Sequence, residues 1–151
     1  MLSLGLSQGQ AASGPLRYLH GEAGTLDPAF ISSAADVQLL LQLYAGLTRL
    51  DEEGEPYPSL AEGWSVSDDG REYTFRLRDG LTFSDGTTID AEDFRRSWLR
   101  LLDPDTESTA PDVLSVVEGA SERLAGTADE DEVGIEAPDP RTNRPWRFSL
   151  E

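Results

Sequence analysis

One stretch in the middle of the chain decides the fold: Trp64-Ser-Val-Ser-Asp-Asp-Gly70, followed by Tyr73-Thr-Phe-Arg-Leu-Arg78. The Asp-Gly pair that ends its first part is a turn signal between two runs of residues with strand character, a pattern typical of an antiparallel β-hairpin. In the second run Tyr73, Phe75 and Leu77 share one face, and the polar residues share the other. The stretch therefore predicts a hairpin with one buried face.

Upstream of the hairpin, the chain carries a helix signal. Ser32 and Ser33 are candidate N-caps, because a serine hydroxyl can accept hydrogen bonds from the free amides of a first helical turn. A strand is expected before this helix, over Pro15 to His20, and another after it, over Leu47 to Leu50. The apolar residues that recur at helical spacing behind the caps are Val37, Leu40, Leu41 and Tyr44.

A second helix is expected directly after the hairpin region. Asp90 can cap its first turn, and Pro104 ends it because proline cannot continue a helix. Apolar residues at positions i, i+4 and i+7 predict its buried stripe. Those residues are Phe94, Trp98 and Leu101.

The last third of the chain predicts a third helix and two strands. The helix is expected over Asp112 to Leu124, although Gly119 interrupts its pattern. The strands are expected over Val133 to Ala137 and Trp146 to Leu150, joined by a proline-rich loop. The predicted fold class is therefore α+β, that is, mixed α and β with hairpins and few βαβ units.

Composition narrows the function. The 151 residues include 29 acidic and 12 basic side chains, all of the basic ones Arg, so the net charge is −17. Such a chain repels phosphate backbones, so nucleic-acid binding is not expected. The chain has no Cys, a single His and no Gly-x-Ser-x-Gly elbow, so no motif indicates a catalytic nucleophile. It also has no calcium-loop spacing and no Lys for a phosphate-binding loop. The residues therefore point to no enzyme, metal or cofactor.

Six short motifs occur in a fixed order along the chain. They are Leu26-Asp27-Pro28, Tyr44-Ala-Gly-Leu47, Leu60-Ala-Glu-Gly-Trp64 with the turn that follows it, Tyr73-Thr-Phe-Arg-Leu-Arg78, Phe83-Ser-Asp-Gly86 and Asp90-Ala-Glu-Asp-Phe94. This series resembles the N-terminal part of the extracellular solute-binding proteins of peptide ABC transporters, the oligopeptide- and dipeptide-binding family. The resemblance implies that residues 15–151 are part of the first lobe of a two-lobed, periplasmic-binding-protein-like clamp. Residues 1–14 are then a flexible tail or a cloning-derived end.

The same resemblance implies a function. The protein would be the substrate-binding component of an ABC transporter, a monomer that captures peptides outside the membrane and delivers them to a membrane permease. Its location would be extracytoplasmic, in the periplasm or on the outer face of the cell membrane, and it would be no enzyme. Because members of the family are several times longer, we expect this chain to be a truncated N-terminal portion that folds but binds peptide weakly or not at all.

The resemblance also assigns ligand-facing residues. In oligopeptide binders, two loops approach the peptide: the loop after Leu-Asp-Pro and the loop after the helix that ends at Asp-Pro, here Asp103-Pro104. In this chain the residues that would lie nearest the ligand are therefore Ser32, Ser33, Ala34 and Ala110. Phe30 lies in the first of these loops and is an aromatic residue that can line a cleft. Extended peptides are held mainly through main-chain hydrogen bonds, so small residues beside exposed backbone tolerate many ligand side chains.

Two alternatives stay open on the sequence. The first is a ligand-sensing domain of similar fold attached to a regulatory protein, which the sequence preceding residue 1 would distinguish from an import protein. The second is a carboxylate-dependent hydrolase, because 29 acidic residues make close carboxylate pairs inevitable.

Overall fold

The computed structural model describes residues 24–137 and 146–150. The predicted strand over Pro15 to His20, residues 1–14 and the proline-rich loop lie outside these ranges. In the described part, a 3-10 turn at Pro28–Phe30 leads to the predicted first helix, α1 (Ala34–Leu43). Ser33 caps this helix, since its hydroxyl oxygen accepts a hydrogen bond from the amide of Asp36 at 3.1 Å.

A small antiparallel sheet of two strands follows. It pairs β1 (Thr48–Leu50), which confirms the strand expected there, with β2 (Pro56–Pro58). The sequence does not predict β2, because two prolines in three residues indicate a loop. All three residues of β2 are exposed, and proline is tolerated in such a strand at the edge of a sheet, where its missing N–H costs little.

The predicted hairpin is confirmed and forms half of a four-stranded antiparallel sheet. Its strands are β3 (Ala61–Val66) and β4 (Glu72–Leu77), and the order in the sheet is β3-β4-β6-β5. The other two strands are β5 (Ile135–Glu136) and β6 (Trp146–Ser149), which confirm the two strands expected near the end of the chain. β6 lies between β4 and β5, so residues far apart in sequence complete the sheet that the hairpin begins.

The predicted second helix, α2 (Ala91–Leu102), packs on this sheet. A capping box formed by Asp90 and Asp93 fixes its start. The residues of the predicted stripe are partly buried and pack against the core, whereas Leu99 and Leu102, which the stripe does not include, are the buried residues of the helix. The large rings lie at the rim of the contact: the Trp98 ring centroid is 5.2 Å from that of Phe148.

The single helix expected over Asp112 to Leu124 is wrong. The chain instead forms a 3-10 turn at Pro111–Leu114 and a separate short helix, α3 (Ala120–Leu124). Gly119 separates them, with a left-handed φ of +72° that favours glycine. A Cβ atom at Gly119 would lie 2.4 Å from the carbonyl oxygen of Glu132, so glycine also permits two backbone segments to cross here.

The core lies between the four-stranded sheet and helices α2 and α3. Its buried members are Leu47, Ala61, Phe75, Leu99, Leu102, Leu114, Val117, Ala120, Val133 and Ile135. Helix α1 lies outside this cluster, and its Leu41 is 66% exposed. Among the described residues, no helix combines the length and the apolar character that crossing a membrane requires. The α+β fold class is confirmed.

Candidate functional site

Two loops, residues 24–33 and residues 108–110, lie side by side. Thr109 joins them, because its amide donates to the carbonyl oxygen of Ala29 at 3.0 Å and its hydroxyl donates to that of Ile31 at 2.8 Å. The two partners of the second bond are 78 residues apart in sequence. The hydrogen bonds therefore fix two distant parts of the chain next to each other.

The five ligand-facing residues expected from the sequence all lie on or beside this pair of loops. Ser32, Ser33 and Ala34 are exposed where α1 begins. Phe30 is half-buried on the same loop, and Ala110 is half-buried on the adjoining one. The structure thus brings the loop of Ala110 next to the segment that carries the other four residues, and their contact with a ligand stays a prediction.

A buried carboxylate connects the two ends of the 24–33 loop. Asp36 has no exposed surface, and its Oδ1 accepts a hydrogen bond from the amide of Gly24 at 2.9 Å. Its Oδ2 accepts from both the amide and the hydroxyl of Ser32, each at 3.2 Å. These hydrogen bonds, above all the one from Gly24, lower the pKa of Asp36 to about 2. The group is therefore ionised at neutral pH.

An arginine from α2 contacts the middle of the same loop. Nη1 and Nη2 of Arg100 donate to Oδ1 and Oδ2 of Asp27 at 2.8 and 2.7 Å, which is a bidentate pair. The guanidinium carbon also lies 5.9 Å from the centre of the Phe30 ring, within the range of a cation–π contact. The hydrogen bonds from Arg100 are the main reason why the pKa of Asp27 is lowered.

Sequence reasoning missed both Asp36 and Arg100. The spacing of Ser33 and Asp36 is typical of a capping box, so it indicates the start of a helix but gives no sign of the bond to Gly24. Arg100 and Asp27 are 73 residues apart, and no local pattern relates them.

An apolar cavity of about 540 Å³ lies between the end of α1 and the start of α2. Phe83 lines it, and its side chain is 45% exposed. None of the five predicted ligand-facing residues lines this cavity. In the part of the chain that the structure describes, no three metal-ligating side chains converge.

Comparison with known families matches residues 55–144 to one described as "Bacterial extracellular solute-binding proteins, family 5 Middle". The chain belongs to this family. The resemblance carried by the six sequence motifs is therefore confirmed. Members of the family are solute-binding proteins rather than enzymes.

Relatives with assigned names agree with this placement. A probable deoxycholate-binding periplasmic protein of Escherichia coli is 40% identical over 82% of this chain and 23% of its own length. The periplasmic murein peptide-binding protein of the same organism is 36% identical over 89% of this chain and 27% of its own length. The chain thus spans about a quarter of the length of the relatives it matches.

Solved structures agree on the fold. The substrate-binding domain of an oligopeptide ABC transporter from Bacillus anthracis has a TM-score of 0.82 at 32% identity, covering 89% of this chain and 26% of that one. An oligopeptide-binding protein of Listeria monocytogenes bound to peptide has a TM-score of 0.80 at 27% identity, covering 88% of this chain and 26% of the other. These likenesses confirm the expected fold, an α+β part of a binding-protein clamp.

Proposed function

We propose that this chain is part of the ligand-holding lobe of an ABC-transporter substrate-binding component that captures peptides outside the membrane for delivery to a membrane permease. Family membership supports the binding role, and several relatives are named for the oligopeptides, dipeptides or murein peptides they bind. The protein then acts outside the cytoplasm as a monomer and catalyses no reaction. Residues 15–151 belong to this lobe.

The observation that carries this proposal is the pairing of the 24–33 and 108–110 loops. We assign ligand contact to five residues on or beside these two loops, namely Phe30, Ser32, Ser33, Ala34 and Ala110. Three of them are exposed at the start of α1. Because serine and alanine are small, a bound peptide can reach the adjacent backbone whatever side chains it carries. Phe30 offers an aromatic surface to the same ligand.

Isothermal titration calorimetry of the complete product of the gene that encodes this chain tests the proposal, with an equimolar pool of di- to pentapeptides as the probe. The variants Ala34→Trp and Ala110→Trp put a large side chain at the assigned positions and should weaken binding by about tenfold or more. Ala125→Trp, at an exposed position at the end of α3, is the matched control and should bind like the unaltered protein.

Two results would contradict the proposal: no binding of the pool by the unaltered protein, or equal affinities in all three variants. The 151-residue chain alone should bind the pool weakly or not at all. Tight binding by that chain would show that the described loops suffice as a site.

A second ligand class is favoured by one relative and one feature of the fold. The relative that is 40% identical is named as probably deoxycholate-binding, and the apolar cavity of about 540 Å³ is within the size range of small-molecule sites. Sodium deoxycholate, kept below the concentration at which it forms micelles, is therefore titrated alongside the peptide pool. Binding of deoxycholate without binding of peptides would favour a bile-acid ligand.

A further inference from the structure

The 24–33 loop has little hydrogen-bonded structure of its own. Apart from the 3-10 turn at Pro28–Phe30 and the local hydrogen bonds of Thr25 and Asp27, its shape depends on contacts with other elements. On one side, Thr109 donates hydrogen bonds to the carbonyl oxygens of Ala29 and Ile31. On its other sides the loop is held by Asp36, by Arg100 and by the hydroxyl of Tyr44, which donates to the carbonyl oxygen of Leu26 at 3.0 Å. None of these three residues is among those assigned to the ligand.

Asp36 makes the two ends of the loop depend on each other. One carboxylate oxygen accepts a hydrogen bond from the amide of Gly24, and the other accepts one from the amide of Ser32. The carboxylate therefore links the two ends of the loop. The side chain is fully buried, and among the described residues it forms no ion pair. A buried carboxylate without a cation depends on its N–H and O–H donors, so the loop cannot leave this position without depriving a buried charge of its hydrogen bonds.

Arg100 fixes the orientation of the loop between those ends. The planar guanidinium meets both carboxylate oxygens of Asp27, and a two-point contact restricts rotation in a way that a single hydrogen bond does not. The same group lies against the Phe30 ring. Since Asp27 also accepts a bond from the amide of Ala29 at 3.0 Å, the contact extends to the backbone of the turn.

We propose that Asp36 and Arg100 are positioning residues, which hold the 24–33 loop in its ligand-facing conformation before any ligand arrives. The inference rests on the proposed function, because it assumes that this loop contacts the ligand. Ordering a mobile loop upon binding costs conformational entropy, which weakens the affinity for the ligand. A loop that is already ordered avoids this cost. If these contacts are removed, only a fraction of the molecules presents the loop correctly, and the apparent affinity equals the intrinsic affinity multiplied by that fraction.

The test compares three variants of the complete gene product. Arg100→Gln removes the bidentate pair, and Asp36→Asn keeps the size of the side chain but leaves one oxygen, which cannot serve both ends of the loop. Arg96→Gln is the matched control. Arg96 lies one turn earlier on α2, is exposed and pairs with Asp93, so its loss removes a surface ion pair of the same kind without touching the loop.

Two measurements are made on each variant: hydrogen–deuterium exchange of the amides of residues 24–33 without ligand, and calorimetric titration with the peptide pool. In Arg100→Gln and Asp36→Asn the loop amides should exchange about tenfold faster, and the pool should bind about three- to tenfold more weakly. Arg96→Gln should change neither quantity. Arg100→Gln should melt within a degree or two of Arg96→Gln, because exposed ion pairs contribute little to stability.

Two results would overturn the inference. One is unchanged exchange of the loop amides in Arg100→Gln, which is a surface variant and should fold even if Asp36→Asn does not. The other is faster exchange with unaltered affinity, which would mean that the order of the loop does not matter for binding. If the unaltered protein binds no peptide, the proposed function fails, whereas the exchange measurement still decides whether the two side chains hold the loop.

Discussion

Gly119→Ala should destabilise the protein more than an alanine at Gly126, a second glycine with a left-handed backbone conformation. Gly119 lies where residues 117–119 cross residues 132–135, and the crossing is closed by a hydrogen bond from the amide of Gly134 to the carbonyl of Glu118 at 2.8 Å. An alanine at position 119 has two separate effects, one on its own backbone conformation and one on the neighbouring segment. Each can be given a magnitude from the structure.

The first effect is conformational. At a φ of +72°, a residue with a Cβ atom is disfavoured by about 1–2 kcal/mol, partly offset by about 0.4–1 kcal/mol because alanine has fewer unfolded conformations. The second effect is steric. The new Cβ atom would lie 2.4 Å from the carbonyl oxygen of Glu132 and 3.3 Å from the Cα atom of Val133. Both are backbone atoms, so the segment itself must shift, at a cost of about 1–3 kcal/mol.

Gly126→Ala supplies the matched control. Gly126 has nearly the same φ, +69°, but the nearest heavy atom to its new Cβ atom would be 4.0 Å away, on Pro104. It therefore carries the conformational effect without the steric one, and should lower the free energy of unfolding by about 1 kcal/mol. Gly119→Ala should lower it by about 2–4 kcal/mol.

Urea denaturation of the 151-residue chain, followed by tryptophan fluorescence, measures both variants. The decisive quantity is the difference between their free energies of unfolding, because the unfolded-state contribution is the same for two glycine-to-alanine changes. Equal losses in the two variants would refute the reasoning, since they would mean that the approach of Glu132 does not constrain position 119.

Three further predictions concern the core, a helix cap and a buried charge. Leu102→Ala should lower the free energy of unfolding in urea by about 2–5 kcal/mol, because Leu102 is completely buried; a loss below about 1 kcal/mol would contradict its place in the core. Asp90→Ala removes the cap of α2 and should lower the same free energy by about 1 kcal/mol, whereas an unchanged urea midpoint would mean that the cap contributes nothing. The pKa of Asp36, lowered from 3.8 to about 2, means that its stabilising effect is complete above pH ~4 and is lost as the pH falls through ~2. The NMR shift of the Ser32 amide should follow this titration with a midpoint near 2, and a midpoint near 4 would be inconsistent with the buried hydrogen bonds.

The parts of the fold that the sequence predicts are those determined by neighbours along the chain. The hairpin depends on the Asp-Gly turn at its tip, and α2 depends on the cap at Asp90, so both could be identified from local spacing. The helix expected over Asp112 to Leu124 failed for the opposite reason. Gly119 is required by a contact with Glu132, and a local pattern carries no information about that partner.

In the candidate site, too, some residues could be predicted from the sequence and others only from the structure. Resemblance to a known family assigned Ser33, Ala34 and Ala110 without any knowledge of how the two loops meet. The contacts that join and hold those loops come from Thr109 and Arg100, which are ordinary polar residues in the sequence. Their partners are more than 70 residues away, and only the folded chain shows that they meet.

Helix α2 has two separable tasks in this arrangement. Leu99 and Leu102 anchor the helix in the core, while Arg100 on the same turn leaves the core and contacts the 24–33 loop. Core substitutions should therefore reduce stability without altering the exchange of the loop amides in the folded protein, and Arg100→Gln should do the reverse. If Leu102→Ala loosened the loop as much as Arg100→Gln does, the loop would be held by the general packing of α2 rather than by one guanidinium group.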